Sequence, residues 1–90
     1  MSTPYYTGDT VPLKFAVMGA TPSGVKVVIQ KPDGSGTSEV DGAVDGNTVS
    51  YNVPGSVTTQ AGKYKAFFVC TLSYGERTHV MEFSVINNPV

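Results

Sequence analysis

The feature that most constrains this chain is an alternation of period two that recurs along nearly its whole length. Val11, Leu13, Phe15 and Val17 fall on one face of an extended segment, and Val25, Val27 and Ile29 on one face of the next. From Lys63 to Leu72, Tyr64, Ala66, Phe68, Cys70 and Leu72 stand together, opposite Lys63, Lys65, Phe67, Val69 and Thr71. His79, Met81, Phe83 and Val85 alternate with Val80, Glu82, Ser84 and Ile86. A side-chain period of two describes half-buried strands, and no window carries a helical stripe. Pro- and Gly-bearing turns punctuate the pattern: Thr21-Pro22-Ser23-Gly24, Lys31-Pro32-Asp33-Gly34, Asp45-Gly46-Asn47, Pro54-Gly55 and Tyr74-Gly75. The spacing predicts an all-β, antiparallel sandwich of about six or seven strands. Weaker strands are expected over 37–44 and 47–53, with a long crossover between sheets over 54–62.

The last two strands can be registered from the turn. A two-residue loop centred on Tyr74-Gly75 sets Ser73 against Glu76, Cys70 against His79, Phe68 against Met81, Ala66 against Phe83, Tyr64 against Val85 and Val69 against Val80. Inward residues then meet inward residues throughout.

Composition narrows the function. Residues 1–90 form one domain, since 90 residues with 40% hydrophobic content suffice for a single core and no linker, repeat or charge run divides them. The net charge is −1, and the six basic residues are scattered singly, so no basic stripe suits nucleic acid. Hydrophobic runs are only a few residues long, far short of the roughly 20 that a membrane helix needs. No membrane partner is expected. The N-terminal residues lack the basic and apolar regions of a signal peptide. One cysteine, Cys70, precludes an internal disulfide and a multi-cysteine zinc site.

Candidate chemistry is sparse. Cys70 opposite His79 is the only thiol–imidazole pairing available, but both fall on the core face, where a thiol behaves as a small hydrophobe. The run Asp33-Gly34-Ser35-Gly36-Thr37-Ser38-Glu39 has alternating oxygens like a calcium loop. However, Ser38 stands where the sixth-position Gly is needed and Val44 where the twelfth-position Glu is needed, so a hairpin turn is the better reading. The expectation is no catalytic residue, no metal and no cofactor.

The informative residues are apolar ones on the outward face: Phe67, Val69, Val80 and Ile86, with Val28 on another strand, rimmed by Lys63, Lys65 and Glu82. A contiguous apolar patch marks a docking surface. A second candidate is the uncharged start of the chain, where Tyr5 and Tyr6 lie in an extended arm over 1–8 and could clamp a neighbour. Residues 87–90 read as a short tail.

Gln60-Ala61-Gly62-Lys63-Tyr64 resembles the E–F crossover of immunoglobulin-like domains, in which a Tyr ties the corner to upstream backbone. By that resemblance Tyr64 is a tyrosine corner. A closer resemblance is to the immunoglobulin-like N-terminal domain of tailed-phage baseplate upper proteins and to similar small phage virion domains. It rests on Gly8-Asp9-Thr10-Val11-Pro12-Leu13-Lys14-Phe15, Lys31-Pro32-Asp33-Gly34, Val49-Ser50-Tyr51-Asn52-Val53-Pro54, Ala61-Gly62-Lys63-Tyr64-Lys65-Ala66-Phe67 and Phe83-Ser84-Val85 in that order. The resemblance implies a non-enzymatic virion protein, made in the host cytoplasm and docking on the particle surface. Its partner would be the major capsid protein or a tail or baseplate protein, with a homo-oligomer as a further possibility. Baseplate upper proteins continue into further domains whereas this chain ends at Val90, so capsid decoration (cement) is expected, with a tail or baseplate adaptor as the alternative. An adhesion module binding carbohydrate or a receptor through Tyr5, Tyr6 and Tyr74 is the rival from another class.

Overall fold

The computed structural model describes residues 4–87, so residues 1–3 of the expected arm and 88–90 of the expected tail lie outside the described residues. Within residues 4–87 the β-branched and aromatic alternation resolves into eight strands and no helix: β1 (Tyr5–Tyr6), β2 (Val11–Ala16), β3 (Gly24–Gln30), β4 (Val40–Asp41), β5 (Ala43–Asp45), β6 (Thr48–Val53), β7 (Gly62–Leu72) and β8 (Gly75–Ile86). They form a five-stranded sheet, β1-β8-β7-β3-β4, and a three-stranded sheet, β2-β6-β5. All pairings are antiparallel except β1 with β8. The inward residues of both sheets meet in one core. Val11, Leu13, Val49 and Val53 on the small sheet face Val25, Val27, Ile29, Tyr64, Ala66, Phe68, Phe83 and Val85 on the large one. Each of these burials removes a side chain from water, contributing roughly 1.5–3 kcal/mol for a Val, Leu, Ile or Phe.

The eight strands exceed the expected six or seven, and two places in the chain account for it. The first is the N-terminal segment. Tyr5 and Tyr6 are not a free arm, because they pair with Val85 and Ile86 as the edge of the large sheet. Tyr5 is half-buried, its ring edge-on to Phe83 at 6.3 Å. The second is where one strand was expected over 37–44. The chain instead gives β4 to the large sheet and β5 to the small one, changing sheets at Gly42. Only glycine fits there, since a Cβ would lie 2.7 Å from Val25 Cγ1 and 3.2 Å from the Ser50 carbonyl oxygen. Upstream of the switch, the segment after Gln30 is held by a bridge between Gln30 and Gly36 and by Thr37, whose backbone N–H donates to Ile29 C=O.

The β7–β8 register differs from expectation by two residues. The observed pairs are Leu72–Gly75, Cys70–Arg77, Phe68–His79, Phe67–Val80, Ala66–Met81 and Tyr64–Phe83. A loop of Tyr74-Gly75 in either hairpin-favoured turn would place Tyr74 at positive φ, which a bulky residue resists. The chain loops through Ser73-Tyr74 instead, and Gly75 carries the positive φ at 135°. A slip of two leaves every side chain on its expected face, so the core survives the error. What changes is the partner. Tyr64 now stands directly across from Phe83, and the two rings stack at 5.0 Å.

Candidate docking surface

The outer face of the large sheet is built in rows that run across β3, β7 and β8. Val28, Phe67 and Val80 form one row, because Val28 pairs with Phe67 and Phe67 with Val80. The next row is Lys26, Val69 and Thr78, and on the other side lies Gln30, Lys65 and Glu82. Phe67, Val69 and Val28 are half-buried by their neighbours, whereas Val80 is 47% exposed. An apolar band therefore crosses three strands, bounded on one side by the opposed charges of Lys65 and Glu82. On the other, Lys26 is turned toward β4 by its ion pair with Asp41. That pair is surface-exposed and fixes geometry more than it stabilises.

Four of the residues singled out in the sequence thus come together: Val28, Phe67, Val69 and Val80. Ile86 does not join them. It lies six residues beyond Val80 on β8, roughly 20 Å along a strand, with the Glu82 and Ser84 rows between. Ile86 instead pairs with Tyr6, and the two, 42% and 41% exposed, make a separate apolar spot. Tyr5 points to the core side and contributes nothing outward. Val28 completes the central row. The signal for it in the sequence is the doublet Val27-Val28, where the outward position of an alternating strand is also apolar.

Tyr64 is fully buried, and its hydroxyl donates to the Gln60 carbonyl oxygen at 2.7 Å while accepting from the Gln60 N–H at 3.1 Å. Gln60 Nε2 donates in turn to Asp33 Oδ2 at 3.0 Å. Asp33 also accepts from the Ser35 hydroxyl at 2.6 Å and the Ser35 N–H at 2.9 Å. These donors, Ser35 first and then Gln60, hold the Asp33 carboxyl down to about 2. Its oxygens are thus occupied in closing a turn. The crossover between sheets is pinned at its other end by buried Thr58, whose hydroxyl donates to Asp9 C=O at 2.8 Å.

The register moves Cys70 off His79, which becomes its diagonal neighbour on the same face, and both line a small cleft with Phe15, Val17 and Met18. Cys70 is buried and stands opposite Arg77, and burial pushes its thiol up, partly offset by the Arg77 charge. His79 is exposed and stacks on Phe15 at 4.1 Å. Among the described residues, no group of three or more His, Cys, Asp or Glu side chains is placed to hold a metal ion. Where the large sheet overhangs the small one, an open trough of about 980 Å³ runs between β2 and β8, lined by Tyr5, Leu13, Met81 and Phe83.

Compared with known proteins, the chain matches no family model, no curated protein and no solved structure.

Proposed function

We propose that the chain is an immunoglobulin-like, non-enzymatic accessory subunit of a tailed-phage virion that docks on the particle through the outer face of its large sheet. Capsid decoration is the reading taken forward, with a tail or baseplate position as the alternative outcome. The observation that carries the docking is the Val28–Phe67–Val80 row. A domain this small has few large apolar side chains to spare from its core, yet it sets these across three adjacent strands on the face turned away from the core. One feature supports the immunoglobulin-like description: the buried Tyr64 bonded back to the crossover. The phage assignment rests on the sequence resemblance.

The test is electron cryomicroscopy of particles purified from the phage that encodes the chain. Density for a two-sheet domain, with the Phe67 row turned toward the particle, is expected on the capsid shell. Absence of the polypeptide from purified particles by mass spectrometry would overturn the assignment, and density on the tail would select the adaptor. The adhesion reading is favoured by one observation: Tyr74 is 65% exposed at the tip of the β7–β8 hairpin, with Arg77 bonded to its hydroxyl at 3.0 Å. A glycan array that responds to wild type and not to Tyr74→Ala would shift the assignment there.

A further inference from the structure

β8 has a free edge. It runs Gly75–Ile86 with β7 along one side, but on the other side β1 covers only Val85 and Ile86. The Thr7 N–H donates to Ile86 C=O at 3.0 Å, so Ile86 turns its backbone polar groups away from β7. Along an antiparallel strand that orientation repeats every second residue. Glu76, Thr78, Val80 and Glu82 therefore also present their N–H and C=O groups outward, where no strand of the described residues lies.

The other free edges are protected. Val17 N–H donates to Asn47 C=O, so on β2 the outward positions are Pro12, Lys14 and Ala16. Pro12 has no N–H to offer, and Lys14 puts a charge on the edge, the devices by which sheets resist pairing. β4 and β5 are two and three residues long. From Arg77 to Met81, β8 has neither proline nor lysine, and its outward positions Thr78 and Val80 are uncharged, with Glu76 and Glu82 outward on either side.

We propose that this edge is completed by a second copy of the chain, with β8 pairing antiparallel to β8 about a two-fold axis at Thr78. An antiparallel edge is self-complementary about such an axis, and its own residues select the register. Outward-facing positions must meet outward-facing positions, which leaves four close alternatives. Centring on Val80 would drive Gly75 of the second copy into the space that Tyr5 occupies beside Val85. Centring on His79 sets Glu76 directly against Glu82, twice, and centring on Arg77 sets Arg77 against itself. Centring on Thr78 sets Thr78 against Thr78, Glu76 against Val80 and Arg77 against His79. It has no like-charged carboxylates face to face, and the turn of the second copy stops short of β1. The product is one continuous sheet in which the Phe67, Val69 and Val80 patches of both copies flank the Thr78 pair on one outer face. This goes beyond the docking proposal and stands or falls in free solution, without any particle.

Sedimentation equilibrium on the full chain should show a mass rising from 9.5 kDa toward twice that value as concentration climbs from about 1 µM to about 1 mM, the range suited to a small interface. Thr78→Pro removes an outward N–H and no β7 ladder bond, and Thr78→Lys sets a charge against its own copy. Each should hold the mass at that of a monomer while circular dichroism stays that of the wild type. Oxidation of Thr78→Cys with an added mild oxidant should give a covalent dimer, because paired residues of this kind sit about 5.5 Å apart at Cα. Glu82→Cys, roughly 27 Å from its own copy in this register, should not cross-link. A wild-type mass fixed at 9.5 kDa up to 1 mM would overturn the proposal. So would folded variants that still dimerise, or cross-linking at Glu82→Cys and not at Thr78→Cys.

Discussion

Tyr64 shows how one side chain can serve core and corner together. Its ring is buried against Phe83, and its hydroxyl holds the crossover through Gln60. Removing the oxygen leaves the ring in place but strands the Gln60 backbone groups. Tyr64→Phe should therefore cost about 1–3 kcal/mol, read from the urea midpoint at unchanged slope. A variant as stable as wild type would show that water replaces those bonds without loss. Asp33 makes a pH-dependent contribution of definite sign. Its folded carboxyl titrates at about 2, below the ordinary 3.8, so the folded state favours the ionised form. That contribution is fully present above pH 3.8 and is lost as pH falls through about 2. Asp33→Asn should accordingly be less stable than wild type near neutrality, with the difference closing in acid. A difference that grows on acidification would contradict the assignment.

At the scale of elements, strand faces and the β7–β8 pairing were legible in the sequence, and the residue register within that pair was not. Period two fixes which side chains are inward, which is why Val11, Leu13, Val25, Val27, Ile29, Tyr64, Phe68 and Val85 all lie in the observed core. Register depends on the exact loop, and there the reluctance of Tyr74 to take positive φ outweighed the simplest hairpin. The strand over 37–44 failed for a different reason. Its residues Ser38, Glu39, Asp41 and Gly42 carry too little alternation to commit to one sheet, so Gly42 lets the chain serve both. Gly42→Val tests this directly. With Val25 Cγ1 and the Ser50 carbonyl in the way, it should lower Tm by on the order of 10 °C, the equivalent of about 1–3 kcal/mol for a domain of this size. Retention of the wild-type Tm would mean that the sheet switch is not held at this point.

For the whole molecule, the outward apolar residues were readable as a set, but their grouping needed the sheet order. Phe67, Val69 and Val80 lie side by side because β3, β7 and β8 are neighbours, and that same order separates Ile86 from them. Tyr5 and Tyr6 were legible as anchors, though not of what. Their partner within the described chain is β8, because a two-residue strand beside Val85 and Ile86 satisfies backbone groups that an unpaired arm would leave to water. The docking face itself is tested most directly by co-sedimentation with purified particles. Phe67→Ser takes the centre out of the apolar row, and Met18→Ser, altering a 79% exposed residue off that face, serves as control. Phe67→Ser should stay folded and lose particle association at least tenfold, while Met18→Ser binds like wild type. Full occupancy of the particle by folded Phe67→Ser would contradict docking through this face.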